Sequence, residues 1–144
     1  MLPPAMSILM TQARLVDEYQ ALPAWEDRYA KIIALGRSLP PMPEDLKTDD
    51  NKVRGCSSTV WLHATSAGGK VVFQADSDAA IPKGLVALLL EVYNQRTPTE
   101  ILAAPPEFIE ELGLNQALSP NRANGLSAMV RQLMAYAAAL QAQG

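Results

Sequence analysis

Apolar residues in the first third of the chain recur with the period of an α-helix. Between residues 7 and 22 the apolar positions fall on one helical face, and Pro23 then interrupts the pattern. That face consists of Ile8, Leu15, Tyr19 and Leu22. A second helix is predicted over residues 24 to 39, ended by the prolines of "PPMP". Residues 40 to 51 are acidic and rich in turn formers, which predicts a surface loop with almost nothing to bury.

The middle of the chain changes from a helical period to a period of two. In "TVWLHATS", residues 59 to 66, the alternate side chains Val60, Leu62 and Ala64 share one face of a strand. The segment "AGGK" can reverse the chain, and "KVVFQA" can return beside the first strand. The pattern therefore predicts an antiparallel hairpin.

Helical signals return in the second half of the chain. Asp76, Ser77 and Asp78 are all good N-cap residues, and Pro82 is tolerated if a helix begins close to it. Residues 85 to 92 are apolar on nearly all sides, which predicts a helix at the buried centre of the fold.

Two further helix starts carry capping signals. In "TPTEIL", Thr97 is followed by Pro98 and by Glu100 at the capping-box position, and "SPNR" repeats the cap with Ser119 and Pro120. The last helix has one apolar stripe, made of Leu126, Met129, Val130, Leu133, Ala137 and Leu140. The order of elements shows no alternation of strand and helix, so we predict an α+β fold with a small antiparallel sheet packed against several helices. We expect one domain over residues 1 to 144, with a loose tail at residues 1 to 6.

Composition narrows the function classes. Hydrophobic residues make up 49% of the 144 residues, enough for a compact core. The formal net charge of -3 leaves no basic surplus for binding a nucleic-acid backbone. The longest apolar run, "GLVALLLEVY", is about half the ~20 residues that span a bilayer, and "MLPPAMSILMTQAR" lacks the features of a secretory signal. We expect a soluble cytoplasmic protein that binds neither nucleic acid nor membrane.

The single cysteine, Cys56, stands in "KVRGCSSTVW" directly after a glycine. Gly55 removes side-chain bulk beside the sulfur, and Lys52 and Arg54 place positive charge near it, which favours the reactive thiolate. The segment therefore suits a nucleophile that a large partner approaches. The alternative is a small buried hydrophobe, the common fate of an isolated cysteine.

Several other thiol chemistries fit the sequence less well. The lone histidine, His63, is seven residues on, up to roughly 23 Å away along an extended chain, which disfavours a Cys-His hydrolase. A phosphatase loop needs arginine six positions after the cysteine, where Leu62 stands. One cysteine and one histidine cannot supply a metal site of soft ligands. "CSST" is similar to a monothiol redox motif, but the residues from Thr59 onward favour a strand where such motifs open a helix.

Five separated blocks resemble the SufE-type sulfur acceptor proteins, which partner cysteine desulfurases in iron-sulfur cluster assembly. The blocks are "WEDRYAKIIALGRSLP", "VRGCSSTVW", "FQADSDAAIPKGLVALLLEVYN", "TPTEIL" and "LGLNQALSPNRANGLSAMV". The resemblance implies that Cys56 accepts persulfide sulfur from a desulfurase, stimulates that enzyme and passes the sulfur on to a scaffold. The pyridoxal phosphate (PLP) chemistry then stays on the partner, and this chain needs no cofactor or metal of its own.

The resemblance also marks residues around the cysteine. Asp76, Asp78 and Arg122 match recurring family positions, for which helix capping and a salt bridge are structural alternatives. Together with Arg54, Gly55 and Ser57 they form the expected set that binds the partner or supports the loop. The sequence departs from the family where Ser57 and Thr59 replace the usual glutamines, which leaves loop geometry and partner choice open.

Three functions stay open at this point. The first is a persulfide carrier that acts as a sulfurtransferase with its desulfurase. The second is a binding module that activates the desulfurase without carrying sulfur, and the third is a monothiol redox protein.

Overall fold

The computed structural model describes residues 7 to 143, so the tail expected at residues 1 to 6 lies outside the described part. Within that part, seven helices surround a two-stranded antiparallel sheet, which confirms the predicted α+β fold. The elements are α1 (Ile8–Gln20), α2 (Trp25–Arg37), β1 (Val60–Ala67), β2 (Lys70–Ser77), α3 (Ala80–Tyr93), α4 (Pro98–Ala103), α5 (Glu107–Glu111), α6 (Leu114–Ala117) and α7 (Pro120–Gln143). None of these helices combines the length and the apolar character that a membrane-spanning helix requires.

The first two helices follow their predicted bounds closely. Ser7 caps α1 by accepting a hydrogen bond from the backbone N–H of Met10 at 3.1 Å. Helix α2 lies against α3 at a glycine contact, where a Cβ on Gly36 would stand 2.7 Å from the backbone nitrogen of Gly84. The absence of side chains at both positions therefore lets these two helix backbones touch.

The hairpin forms as predicted. Val60 pairs with Ser77 at its open end and Ala67 with Lys70 at its tip, where Gly68 has a left-handed φ of 60°. Its apolar face is buried against α3 and α7. That face includes Val60, Leu62, Val71, Phe73 and Ala75.

Helix α3 is the centre of the core, as the apolar run predicted. Every residue from Gly84 to Leu90 is buried, and Glu91 alone breaks the run by facing solvent. The capping box at Thr97 and Glu100 is present at the start of α4, and Ser119 accepts a hydrogen bond from the Arg122 N–H at the start of α7. The short helices α5 and α6 had no predicted counterpart, because four or five residues are too few to show a helical period.

Two local predictions are wrong. The segment from 40 to 51 does bury side chains, since Met42 is 4% exposed and Asn51 is 9% exposed, and it contains two 3-10 turns. The expected capping of α3 by acidic residues also fails. Asp76 and Ser77 belong to β2, and the N-cap of α3 is Ala79, which makes no side-chain cap. The aspartates are therefore available for other contacts.

Candidate functional site

Cys56 lies in a loop, residues 54 to 59, that connects the core to the start of the hairpin. We call this segment the Cys56 loop. Its two ends are held together because the backbone N–H of Val53 donates to the carbonyl of Val60 at 2.8 Å. The hydrogen bond closes the base of the loop, so the residues between can move only as a tethered unit.

The far end of the Cys56 loop is fixed by the turn that follows β2. The carboxylate of Asp78 accepts a hydrogen bond from the backbone N–H of Thr59 at 3.1 Å. The carbonyl of Thr59 accepts from the hydroxyl of Ser77 at 2.7 Å and from the Asp78 N–H at 3.2 Å. The structure thus places Asp78 at the far end of the loop, where it binds the backbone of Thr59 and not the sulfur.

The segment before the loop is also anchored. Asn51 donates to the carbonyl of Leu46 at 2.7 Å, and its side-chain oxygen lies 3.0 Å from the Tyr136 hydroxyl on α7. The same oxygen lies 3.3 Å from Nδ1 of His63. The only histidine of the chain is thereby engaged with an amide of this anchor, so it belongs to the support of the loop.

One face of α7 forms the surface on which the Cys56 loop lies. The Cys56 thiol donates to the carbonyl oxygen of Gly125 at 3.5 Å, and a Cβ on Gly125 would stand only 3.4 Å from the sulfur. One turn further along, a Cβ on Gly55 would lie 3.3 Å from Cβ of Ala128 and 3.8 Å from Nη2 of Arg131. Small residues on α7 thus allow loop and helix to approach closely.

The backbone conformation at position 55 also favours glycine. Its φ of 97° lies in the left-handed region that side chains with a Cβ rarely adopt. The backbone turns sharply at this point, directly before Cys56. The sulfur is brought onto α7 by that turn.

Cys56 is half-buried, and burial raises the pKa of its thiol, although the positive charge of Arg131 acts in the opposite direction. A thiol with a raised pKa is largely protonated at neutral pH and therefore weakly nucleophilic. The sulfur is neither fully exposed nor fully buried.

Asp76 lies at the open end of the hairpin, where its carboxylate pairs with Lys47 at 3.0 Å and with Lys83 at 3.2 Å. Burial disfavours the charged carboxylate, but the hydrogen bonds from Lys47, the Ser77 N–H and Lys83 outweigh it and lower the pKa of Asp76. Lys47 also lies 5.5 Å from the ring centre of Trp61. Asp76 therefore ties the acidic segment before the loop to the hairpin and helix α3.

The remaining predicted residues, Arg54, Ser57 and Arg122, are exposed around the Cys56 loop. Arg122 lies on the first turn of α7, one turn before Gly125. Among residues 7 to 143 neither its guanidinium nor that of Arg54 forms an ion pair, so the salt bridge considered for Arg122 is not found there. Their side chains are thus accessible to a docking partner.

Sequence reasoning missed the residues of α7 that contact the Cys56 loop. Gly125, Ala128 and Arg131 are three apart, so they follow one side of the helix, and this spacing of two small residues and a cation was visible in "NGLSAMVR". Beside them lies a groove whose lining includes the apolar residues Pro105, Pro106, Ile109, Leu126 and Val130 together with Glu107 and Glu110. Arg131 lines this groove as well, which connects it to the loop.

Comparison with known proteins decides the family. The model of the SufE family, described as an Fe-S metabolism associated domain, matches residues 13 to 137. The chain belongs to the SufE family. An uncharacterised SufE-like protein of Synechocystis is 43% identical over 129 residues, covering 90% of this chain and 81% of the relative. A SufE-like protein of Rhizobium meliloti is 40% identical over 129 residues, covering 86% of this chain and 92% of the relative.

A solved structure shares the SufE-family fold. The solution structure of a hypothetical protein from Thermus thermophilus superimposes with a TM-score of 0.74 at 27% identity, covering 95% of this chain and 96% of that one. The family match includes the Cys56 loop, the hairpin and most of α7. It associates this SufE-family protein with iron-sulfur metabolism. Among residues 7 to 143, no group of three or more His, Cys, Asp and Glu side chains is placed to hold a metal ion.

Proposed function

We propose that this SufE-family protein accepts persulfide sulfur on Cys56 from a PLP-dependent cysteine desulfurase, stimulates that enzyme, and passes the sulfur to an iron-sulfur scaffold. The observation that carries the proposal is the position of the thiol. Cys56 lies half-buried on a loop fixed at both ends, with its sulfur against the backbone of Gly125. Such a thiol is shielded in the free protein and is near enough to the surface to become exposed to a docked desulfurase.

The transfer needs only one cysteine on this chain. The thiolate of Cys56 attacks the outer sulfur of the desulfurase persulfide, a new sulfur–sulfur bond forms, and the sulfur–sulfur bond of the donor breaks. The donor cysteine leaves as a thiolate, and the outer sulfur keeps its proton. The exchange consumes no oxidant or reductant, and the release of sulfur from cysteine by PLP stays on the desulfurase.

Partial burial suits a carrier. A persulfide is readily lost to small thiols, so an open site would leak sulfur in the reducing cytoplasm that we propose as the compartment. A closed site could not receive sulfur from a protein donor. The tethered ends of the Cys56 loop, with the turn at Gly55 between them, allow the sulfur to leave α7 when the desulfurase docks.

The two alternatives are supported less well. A monothiol redox enzyme needs a thiol whose pKa is lowered, commonly at a helix N-terminus, whereas burial raises the pKa of Cys56 and a strand follows its loop. A binding module that only activates the desulfurase would use the same surface as the carrier. Its activity would not require the sulfur of Cys56, and this dependence on Cys56 can be measured.

Replacement of Cys56 by serine tests the proposal. Cys56→Ser should abolish stimulation of the desulfurase and leave the melting temperature near that of the wild type, because a hydroxyl is nearly isosteric but forms no stable persulfide. Ser66→Ala, near the tip of the hairpin, is the matched control and should stimulate as the wild type does. Stimulation by the serine variant at the wild-type level would contradict sulfur carriage and favour the activating module.

A further inference from the structure

Arg131 lies near the reactive sulfur in space, although the motifs around Cys56 in the sequence do not include it. It lies on α7 six residues after Gly125, the residue that accepts the thiol hydrogen bond, and three after Ala128, which contacts Gly55. Its Nη2 atom is 3.8 Å from the position that a Cβ on Gly55 would occupy. The guanidinium therefore lies close to Gly55, the residue directly before the cysteine.

No carboxylate competes for this guanidinium within ion-pair distance among residues 7 to 143. Glu107 and Glu110 line the same groove as Arg131 without forming an ion pair with it. An arginine that lies near a thiol and lacks an acidic partner can serve as a counter-ion when the sulfur becomes negative.

We propose that Arg131 is a positioning residue whose guanidinium acts as the counter-ion of the Cys56 sulfur, both as the thiolate and as the persulfide anion. The Cys56 loop lies on a strip of α7 that is neutral at Gly125, next to the sulfur, and at Ala128, next to Gly55, and that carries a positive charge at Arg131. Half-burial makes an anionic sulfur costly, and the guanidinium offsets part of that cost. The persulfide part of this inference rests on the proposed function, whereas the thiolate part does not.

Arg131 is exposed, as are the other two arginines near the loop, Arg54 and Arg122. The carboxylate of Asp78 is engaged by the Thr59 N–H. Of these groups, Arg131 is the one whose positive charge lowers the pKa of the Cys56 thiol, against the larger effect of burial. Its removal should consequently make the thiolate harder to form.

The pH dependence of Cys56 alkylation by iodoacetamide, a neutral reagent, tests this inference without any desulfurase. The variants are Arg131→Gln, which removes the charge, and Arg131→Lys, which keeps it. Arg37→Gln is the control, because Arg37 is an exposed arginine at the end of α2 with no ion pair among the described residues. At neutral pH we expect alkylation of Arg131→Gln to be slower than that of the wild type by a factor of about three or more.

The shape of the profile separates a charge effect from a structural one. At alkaline pH, where the thiol is ionised in every variant, the rates of wild type and Arg131→Gln should converge, and Arg131→Lys should follow the wild type throughout. Superimposable profiles would overturn the proposal, and so would a change by the same factor at every pH, which would indicate altered access to the thiol. Since no desulfurase is present, either result leaves the proposed sulfur transfer to be judged by its own test.

Discussion

The sulfur of Cys56 lies 3.5 Å from the carbonyl oxygen of Gly125, and no side chain on that residue separates the sulfur from the helix. The thiol rests on the backbone of α7 because position 125 is glycine. A residue inside a helix, as Gly125 is in the second turn of α7, is seldom glycine, since glycine costs about 1 kcal/mol relative to alanine. The contact with sulfur offers a reason for that cost.

Gly125→Ala should separate stability from shielding. The added methyl group would stand 3.4 Å from the sulfur and 3.9 Å from Cβ of Cys56, at the short end of van der Waals contact, so we expect a small outward shift of the sulfur and faster alkylation of Cys56. The melting temperature should stay the same or rise, because alanine favours the helix. Asn124→Ala, an exposed neighbour on α7, controls for the change in helix propensity. Unchanged alkylation in Gly125→Ala would show that the sulfur does not depend on this contact.

Gly55→Val should weaken the protein and slow sulfur transfer. The left-handed φ of 97° imposes a strain of about 1–3 kcal/mol on a residue with a side chain, and the new Cβ would also press on Ala128. Gly69→Val is the matched control, since its φ of 78° imposes comparable strain with no atom within 4 Å of the added Cβ. Chemical denaturation and transfer kinetics measure the two effects. If both variants transferred sulfur at the wild-type rate, the loop would not need glycine at position 55.

Asp76→Asn should lower the free energy of unfolding by about 1 kcal/mol at neutral pH, because it removes the charge that Lys47 and Lys83 bind. The pKa of Asp76 is lowered in the folded protein, so its ionised form contributes stability above the ordinary pKa of about 4, and this contribution is lost as the pH falls through the folded pKa. The difference between wild type and variant should therefore shrink below about pH 4.

Unfolding by urea at several pH values measures that difference. The control is Asp17→Asn, on the exposed side of α1, where no ion pair is formed among the described residues. It should match the wild type at every pH. A difference for Asp76→Asn that stays constant into acid would show that the loss comes from packing and not from charge.

Docking of the desulfurase should expose Cys56. We expect slow alkylation in the isolated protein and faster alkylation at saturation with a desulfurase whose own acceptor cysteine is replaced by serine, so that no disulfide or persulfide can form. The expectation follows from the half-burial of the thiol and the tethered ends of its loop. Equal rates with and without the partner would argue for a loop that is already open.

Local patterns predicted the hairpin and the helices other than α5 and α6, because these elements depend on neighbours in sequence. The capping box at Thr97 and the alternation that begins at Val60 are both such signals, and both elements form. The same local logic failed at Asp76, where a good capping residue lies in β2 opposite Trp61 and pairs with Lys47 and Lys83. Tertiary contacts there override the capping preference.

The candidate site was likewise predictable only where its residues are neighbours in sequence. Cys56 and Gly55 could be found from sequence because the motif around them is contiguous. The α7 residues under the loop are 69 or more positions away from the cysteine, and their role arises only when the helix folds back onto the loop. The sequence shows the spacing of Gly125 and Arg131, but it does not show that this face of α7 contacts the Cys56 loop.

The most direct test of the account is the mass of the protein after incubation with a cysteine desulfurase and cysteine. If Cys56 is the acceptor, intact-mass and peptide analysis under non-reducing conditions should show a gain of one sulfur atom on the peptide that contains Cys56, reversed by a reductant. The Cys56→Ser variant should show no gain. A wild-type protein that stimulates the desulfurase and yet never gains sulfur at Cys56 would contradict the carrier account.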